Sequence, residues 1–191
     1  FNPHDQESLL NIKRIVRTDD VHKYIFIGQL INRKSPLELL DAFITLGSGR
    51  DTLTFLGNGD LKQELAKRIL NYSVEDRVFI HEQINSSEVI DYLRNFDTLV
   101  LPSKEEVWGQ VVNEAYAVGL NIVVSENCGV ADYIKGSNGV FVCNSDLVNL
   151  SSCLKYARNC QVDSNYFNRN QDFSASKFTS LLSSYILKSV Y

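Results

Sequence analysis

The sequence predicts a Rossmann-like, doubly wound α/β domain with a parallel sheet of about six strands flanked by helices. Three observations carry this prediction. From Lys23 onward, short runs rich in branched and aromatic residues alternate with longer segments of helical period, the pattern of successive βα units. Helix-start signals stand between those runs. The chain has 191 residues, 44% of them apolar and 22% charged, which is enough for one buried core without disulfides or a structural metal.

Taken in order, the candidate strands are Tyr24 to Gly28, Leu53 to Gly57, Val78 to His81, Thr98 to Leu101, Asn121 to Ser125 and Val140 to Cys143. Each is a short, mostly apolar run, as strands buried on both faces require. Between them, Ser35 with Glu38, Asp60 with Gln63 and Asn85 with Glu88 fit capping boxes. In such a box the cap side chain and the third helical residue satisfy each other's backbone donors. Pro36 follows at a first helical position, where its missing N–H costs nothing. Leu40, Phe43 and Ile44 give that helix an apolar stripe, and Gly47 is placed to end it in a left-handed conformation. Gln110 to Val118 has apolar helical period. Asp146 to Arg158 and Ser174 to Lys188 read as closing helices, separated by a polar stretch. The first twenty-odd residues lack a clear period. They read as a lead-in from an upstream segment, and the lack of an initiating Met is expected of a chain that does not carry its native N-terminus.

Several function classes are excluded. A formal charge of -4 is too small to suggest nucleic-acid binding or docking on an anionic membrane. No apolar run reaches the length of a transmembrane helix, and the N-terminus does not resemble a signal peptide. Cys128, Cys143, Cys153 and Cys160 contain no CxxC pair and no histidine at zinc-ligand spacing, so free buried thiols in a reducing cytoplasm are expected. His4, His22 and His81 are too scattered to form a cluster.

In an open parallel sheet, ligands bind beyond the carboxyl ends of the strands, so the informative residues follow each strand. After the first strand come Arg33 and Lys34, just before a helix start. Two cations beside the positive end of a helix dipole suit an anion such as a diphosphate, although a solvated basic pair reads the same way. After the fourth strand come Glu106, Val107, Trp108 and Gly109, then the helix from Gln110. This helix has no Ser, Thr, Asp or Asn immediately before Gly109, so its first N–H groups lack an evident cap, and glycine there lets a ligand approach the backbone. Glu106 and, on the second helical turn, Glu114 are acceptor-only carboxylates suited to sugar hydroxyls. A helix-terminus charge and a surface residue are the alternative readings. Gly57-Asn58-Gly59 lacks the third glycine of the dinucleotide fingerprint and follows the second strand, so it reads as a tight strand-to-helix turn.

These residues match a known pattern. Glu106-Val107-Trp108-Gly109-Gln110-Val111-Val112-Asn113-Glu114-Ala115 fits a Glu-x7-Glu motif, preceded by Leu101-Pro102-Ser103 and followed by Val123-Val124-Ser125, Cys128-Gly129 and Asp132-Tyr133-Ile134. Gly28-Gln29-Leu30, Arg33-Lys34 and Gly57-Asn58-Gly59 extend the match upstream. The sequence thus resembles the C-terminal domain of the retaining glycosyltransferases of family 4, which have the GT-B fold, from about Phe26 to Val142. The resemblance implies that residues 23–191 form a nucleotide-sugar-binding domain, with residues 1–22 leading in from a hinge. The acceptor domain would lie outside this chain.

The resemblance further implies that Lys34, helped by Arg33, binds the donor diphosphate, and that Val107, Trp108, Gly109, Gln110 and Val111 line the donor site through the backbone N–H groups at the helix start. Glu106 would contact the transferred hexose as the catalytic carboxylate, Glu114 would hold the ribose, and Gln83 and Ile84 would lie against the nucleobase. The implied partners are a nucleotide sugar, the N-terminal acceptor domain and a glycan or lipid-linked acceptor, in a cytoplasmic protein that is peripheral to the membrane at most. No metal or other cofactor is implied. The chain alone is expected not to transfer sugar. Rival readings are a non-catalytic nucleotide-sugar-binding or interaction module, a GT-B epimerase or phosphorylase, and a glycosidase using Glu106 and Glu114 as an acid/base pair.

Overall fold

The computed structural model describes residues 21–160 except position 48. The strands are β1 (Lys23–Ile27), β2 (Thr52–Leu56), β3 (Val78–His81), β4 (Thr98–Leu101), β5 (Asn121–Ser125) and β6 (Val140–Cys143). They form one parallel six-stranded sheet in the order β3-β2-β1-β4-β5-β6. The expected doubly wound sheet is present, with β1 and β2 shifted one residue toward the N-terminus. The helices are α1 (Pro36–Thr45), α2 (Lys62–Asn71), α3 (Val89–Leu93), α4 (Gln110–Ala117), α5 (Ala131–Ile134) and α6 (Leu150–Asn159). Short 3₁₀ turns cover Asn32–Lys34 and Ser86–Glu88.

Alternate strand residues feed two cores. On one face Tyr24, Phe26, Leu53 and Phe55 pack with Leu39, Leu40 and Phe43 of α1, Leu65 of α2 and Leu150 and Leu154 of α6. On the other, Ile25, Leu99, Leu101, Ile122 and Val124 pack with Leu93 of α3, Val112 and Ala115 of α4 and Ile134 of α5. Period-two alternation on strands buried on both sides is what divides the apolar set this way.

The amino ends of the strands carry a polar belt. Asp51, fully buried, accepts from the His22 backbone N–H at 3.0 Å and from Arg158 Nε at 2.7 Å. Tyr24 donates its hydroxyl to the Leu154 carbonyl, and Asn121 Nδ2 donates to Ala157 and Cys160 carbonyls, which fastens α6 to the sheet. Burial, reinforced by the charge of Asp51, raises the Tyr24 pKa well above its usual value, so this hydroxyl stays a donor.

Three helix starts differ from expectation. Ser35 makes no side-chain cap bond and sits in the left-handed region (φ 56°), because it closes the Asn32–Lys34 turn with its N–H while its carbonyl accepts the first bond of α1. Asp60 does not cap α2, which begins beyond Leu61. The box expected at Asn85 does form, with the Glu88 carboxylate accepting from the Asn85 N–H at 3.2 Å. The helix expected from Asp146 begins only at Leu150, since Asp146 instead accepts the Val148 N–H in a local turn. Residues 1–20 of the expected lead-in and the helix expected from Ser174 lie outside the described residues. Among the described residues, no helix is long and apolar enough to cross a membrane.

Candidate functional site

The sheet order reverses between β1 and β4. These two strands are in register at Tyr24↔Thr98 and Ile25↔Leu99, a shorter run than any other neighbouring pair. Their following loops leave the sheet in opposite directions and bound a crevice, the place where ligands of open α/β sheets bind.

The loop after β1 is fixed by the glycines after β2. Gly28 N donates to the Leu56 carbonyl, Leu30 N to the Asn58 carbonyl, and Leu61 N to the Leu30 carbonyl. The chain then makes its 3₁₀ turn and delivers Lys34 into the crevice. The loop after β4 arrives from the other side and is stitched to the first. Lys104 N donates to the Arg33 carbonyl at 2.8 Å, and Lys104 Nζ contacts Glu38 and lies 3.3 Å from Asn32 Oδ1. The loop after β5 supports it from behind. Gly129 N donates to the Glu106 carbonyl, Val130 N donates to the Trp108 carbonyl, and Glu106 pairs with Cys128 in an isolated parallel bridge.

At the centre, the Lys34 ammonium meets the Glu106 carboxylate, with side chains only 12% and 16% exposed. Burial, and then the positive charge of Arg33, push the lysine pKa below its ordinary value, with Cys128 opposing them. Cys128 is close enough to Lys34 to feel its charge. Burial raises its thiol to about 11, so it stays protonated and inert.

Gly109 opens α4 at φ 86° with no side-chain cap. A Cβ there would meet Leu101 Cδ2 at 2.9 Å. Helix geometry leaves the first N–H groups, at Gln110 and Val111, without intrahelical acceptors, facing the carboxyl end of the sheet. Trp108 is buried against Tyr133 with ring centroids 5.2 Å apart, whereas Val107 is exposed on the same loop. Glu114 lies one turn beyond Gln110 on the same helical side, half-buried, with its pKa raised by desolvation. The structure thus brings Lys34 against Glu106 and Arg33 beside the Glu105 carbonyl, while Val107, Trp108, Gly109, Gln110, Val111 and Glu114 follow Glu106 along the same loop and helix. Gln83 and Ile84 follow β3 at the same end of the sheet but on the outermost strand, in a loop tied to α2 by a Lys62–Glu82 ion pair.

Sequence reading did not select Lys104 or Asn32, and it took Glu38 for half of a capping box; the three brace the two loops. Their signal was weak, since exposed charges after a strand are common. Among the described residues, no group of three or more His, Cys, Asp or Glu side chains is placed to hold a metal.

Among solved structures, the chain is similar to the lipopolysaccharide outer core galactosyltransferase WaaB in its apo form. The TM-score is 0.74 at 17% identity, covering 93% of this chain and 53% of that one. It is also similar to Anabaena HepE in complex with UDP and glucose, with a TM-score of 0.67 at 17% identity, covering 97% of this chain and 52% of that one. At these identities the likeness shows the fold, a Rossmann-like domain of the kind found in GT-B glycosyltransferases. An uncharacterized glycosyltransferase of Methanocaldococcus jannaschii is 29% identical over 139 residues, 71% of this chain and 36% of that protein. The D-inositol 3-phosphate glycosyltransferase of an Arthrobacter species is 30% identical over 125 residues, 62% of this chain and 30% of that protein. The chain therefore spans about a third of the length of these curated relatives. The family described as glycosyl transferases group 1 matches residues 10–171, loops and helices of the crevice included. On the strength of that match over most of its length, the chain belongs to the glycosyl transferases group 1 family.

Proposed function

We propose that this chain is the C-terminal, donor-binding half of a retaining family 4 glycosyltransferase. Such an enzyme moves a hexose from a nucleoside diphosphate onto a glycan or lipid-linked acceptor. The observation that carries the reading is the convergence of Lys34, Glu106 and the uncapped start of α4 on the β1/β4 crevice. A cation and free N–H groups at a helix start suit a diphosphate, and acceptor-only carboxylates beside them suit hydroxyls. That HepE was solved with UDP and glucose supports the same ligand class.

On this reading Lys34 and Arg33 stabilise the leaving diphosphate, together with the N–H groups opening α4, and no metal is needed to supply that charge. Glu106 positions the sugar for front-face displacement. Glu114 holds the ribose, and Gln83 and Ile84 flank the base. The acceptor is held by an N-terminal domain across the cleft, in a cytoplasmic protein associated peripherally with membrane.

The test is calorimetric titration of the 191-residue chain with UDP, GDP and ADP, each alone and as its glucose conjugate. At least one diphosphate should bind, and Lys34→Ala should weaken it by roughly 1.5–3 kcal/mol, the range for hydrogen bonds to charged groups. The matching nucleoside should lose much less. Equal losses for nucleoside and diphosphate would reject the phosphate role.

A further inference from the structure

Three cations border the crevice, and each is already engaged from within the chain. Lys34 is held by Glu106, Lys104 by Glu38 and Asn32, and Arg33 Nη1 lies 3.5 Å from the Glu105 carbonyl oxygen. The Lys34–Glu106 pair differs from the other two because it is nearly buried and spans the crevice itself. The carboxylate is an oxygen anion in direct contact with the cation best placed for a phosphate. Resting on the donor reading above, we propose that Glu106 is an exchangeable stand-in for the donor's diphosphate. It occupies Lys34 until phosphate oxygens displace it, and its whole carboxylate is then free to turn to sugar hydroxyls.

Three features support an exchange rather than a fixed strut. Truncating one partner of a buried pair leaves a costly lone charge, but replacing it by another anion does not, so a diphosphate can take the lysine without isolating it. The backbone that carries Lys34 is under strain. Ser35 holds φ 56° without being glycine, and its Oγ is fully buried with no hydrogen-bond partner. Strain of this kind persists only where the surrounding structure over-determines it, and it clusters at ligand clamps and switch regions. Finally, the lysine engages the carboxylate through Oε2, so where Lys34 is held sets how Glu106 is turned toward sugar hydroxyls. The consequence is an order of events in which phosphate contact arms sugar contact.

The experiment is a double-mutant cycle read by calorimetry on the 191-residue chain. It uses whichever of UDP, GDP or ADP binds the unaltered protein, with thermal melts to confirm folding. Glu106→Gln should bind the diphosphate about fivefold or more tightly than the unaltered chain, within the usual range for coupled sites. In a Lys34→Ala background, Glu106→Gln should change affinity little, because there is no lysine to release. Glu106→Ala, measured alongside, should show the same gain if the amide variant folds poorly. Unchanged or weaker diphosphate binding by both Glu106 variants would overturn the stand-in while leaving the donor reading intact. A gain that persists fully without Lys34 would also overturn it, since that marks simple repulsion. No binding of any of the three nucleotides to the unaltered chain overturns the donor reading and the stand-in with it.

Discussion

A Cβ built on Gly57 would stand 1.9 Å from the carbonyl oxygen of Gly28. The turns after β1 and β2 are therefore interlocked backbone to backbone, and the position of the loop that carries Lys34 depends on it. Gly57→Ala should cost on the order of 3–5 kcal/mol, because the atom that must move is main chain rather than the tip of a flexible side chain. Gly136→Ala is the control. It also lies at positive φ (85°) but has nothing within 4 Å of the added atom, so it should lose only about 1–2 kcal/mol of local strain energy. Equal losses in urea titrations of the two variants would contradict the interlock.

Ser35 yields a prediction that separates its observed conformation from the cap expected of it. A capping serine replaced by glycine loses a few tenths of a kcal/mol. A left-handed serine with a buried, unpartnered hydroxyl gains instead, by up to about 1 kcal/mol, because glycine adopts that conformation without steric cost. Ser35→Gly should therefore raise the melting temperature, and a lowered value would restore the capping role.

These two residues also show what the sequence made legible. All six strands could be placed because continuous apolar runs bounded by polar turns leave little choice of register. Lys34 and Glu106 meet because the loops after β1 and β4, which in a parallel sheet open at the same end, carry them. Ser35 was misread because Ser-Pro before an apolar stripe is a local signal. Its conformation is set by the turn that carries Lys34 to Glu106, a contact between loops far apart in the chain. Lys104 and the Cys128 bridge escaped notice for the same reason, being defined by a neighbouring loop rather than by a sequence pattern. The four-residue α5 is too short to show a period.

Glu114 carries opposing effects on stability and binding. Burial raises its pKa, so the folded state holds a proton more tightly than the unfolded chain does. Its favourable contribution is therefore complete below the ordinary carboxylate range and is lost as pH rises through the raised folded value. Glu114→Gln should be more stable than the unaltered chain at neutral pH, with the difference closing as pH falls below that range. On the proposed ribose role, the same variant should bind nucleoside diphosphate more weakly. Denaturation at a series of pH values, beside one titration at neutral pH, checks both signs.

The thiols offer a test of the core. Burial raises Cys128 to about 11 and Cys143 to about 12, and Cys153 in the same direction, so none presents a thiolate near neutral pH. Cys160 differs from these three in being only half-buried. Brief iodoacetamide treatment of the native protein should label Cys160 alone, and treatment in guanidinium should label all four. Rapid native labelling of Cys143 would show that the sheet is not packed as described.

The reversal of strand order between β1 and β4 places the crevice where two three-stranded halves meet. A polypeptide divided between α3 and β4 would carry Lys34 and the glycine turns on one piece, and Glu106 with α4 on the other. Neither piece alone would hold the pair, and each would keep a three-stranded parallel sheet with helices of its own. On the proposed reading, nucleotide affinity would then report how completely the two pieces had found each other, turning a binding domain into a complementation sensor whose signal is occupancy of its own seam.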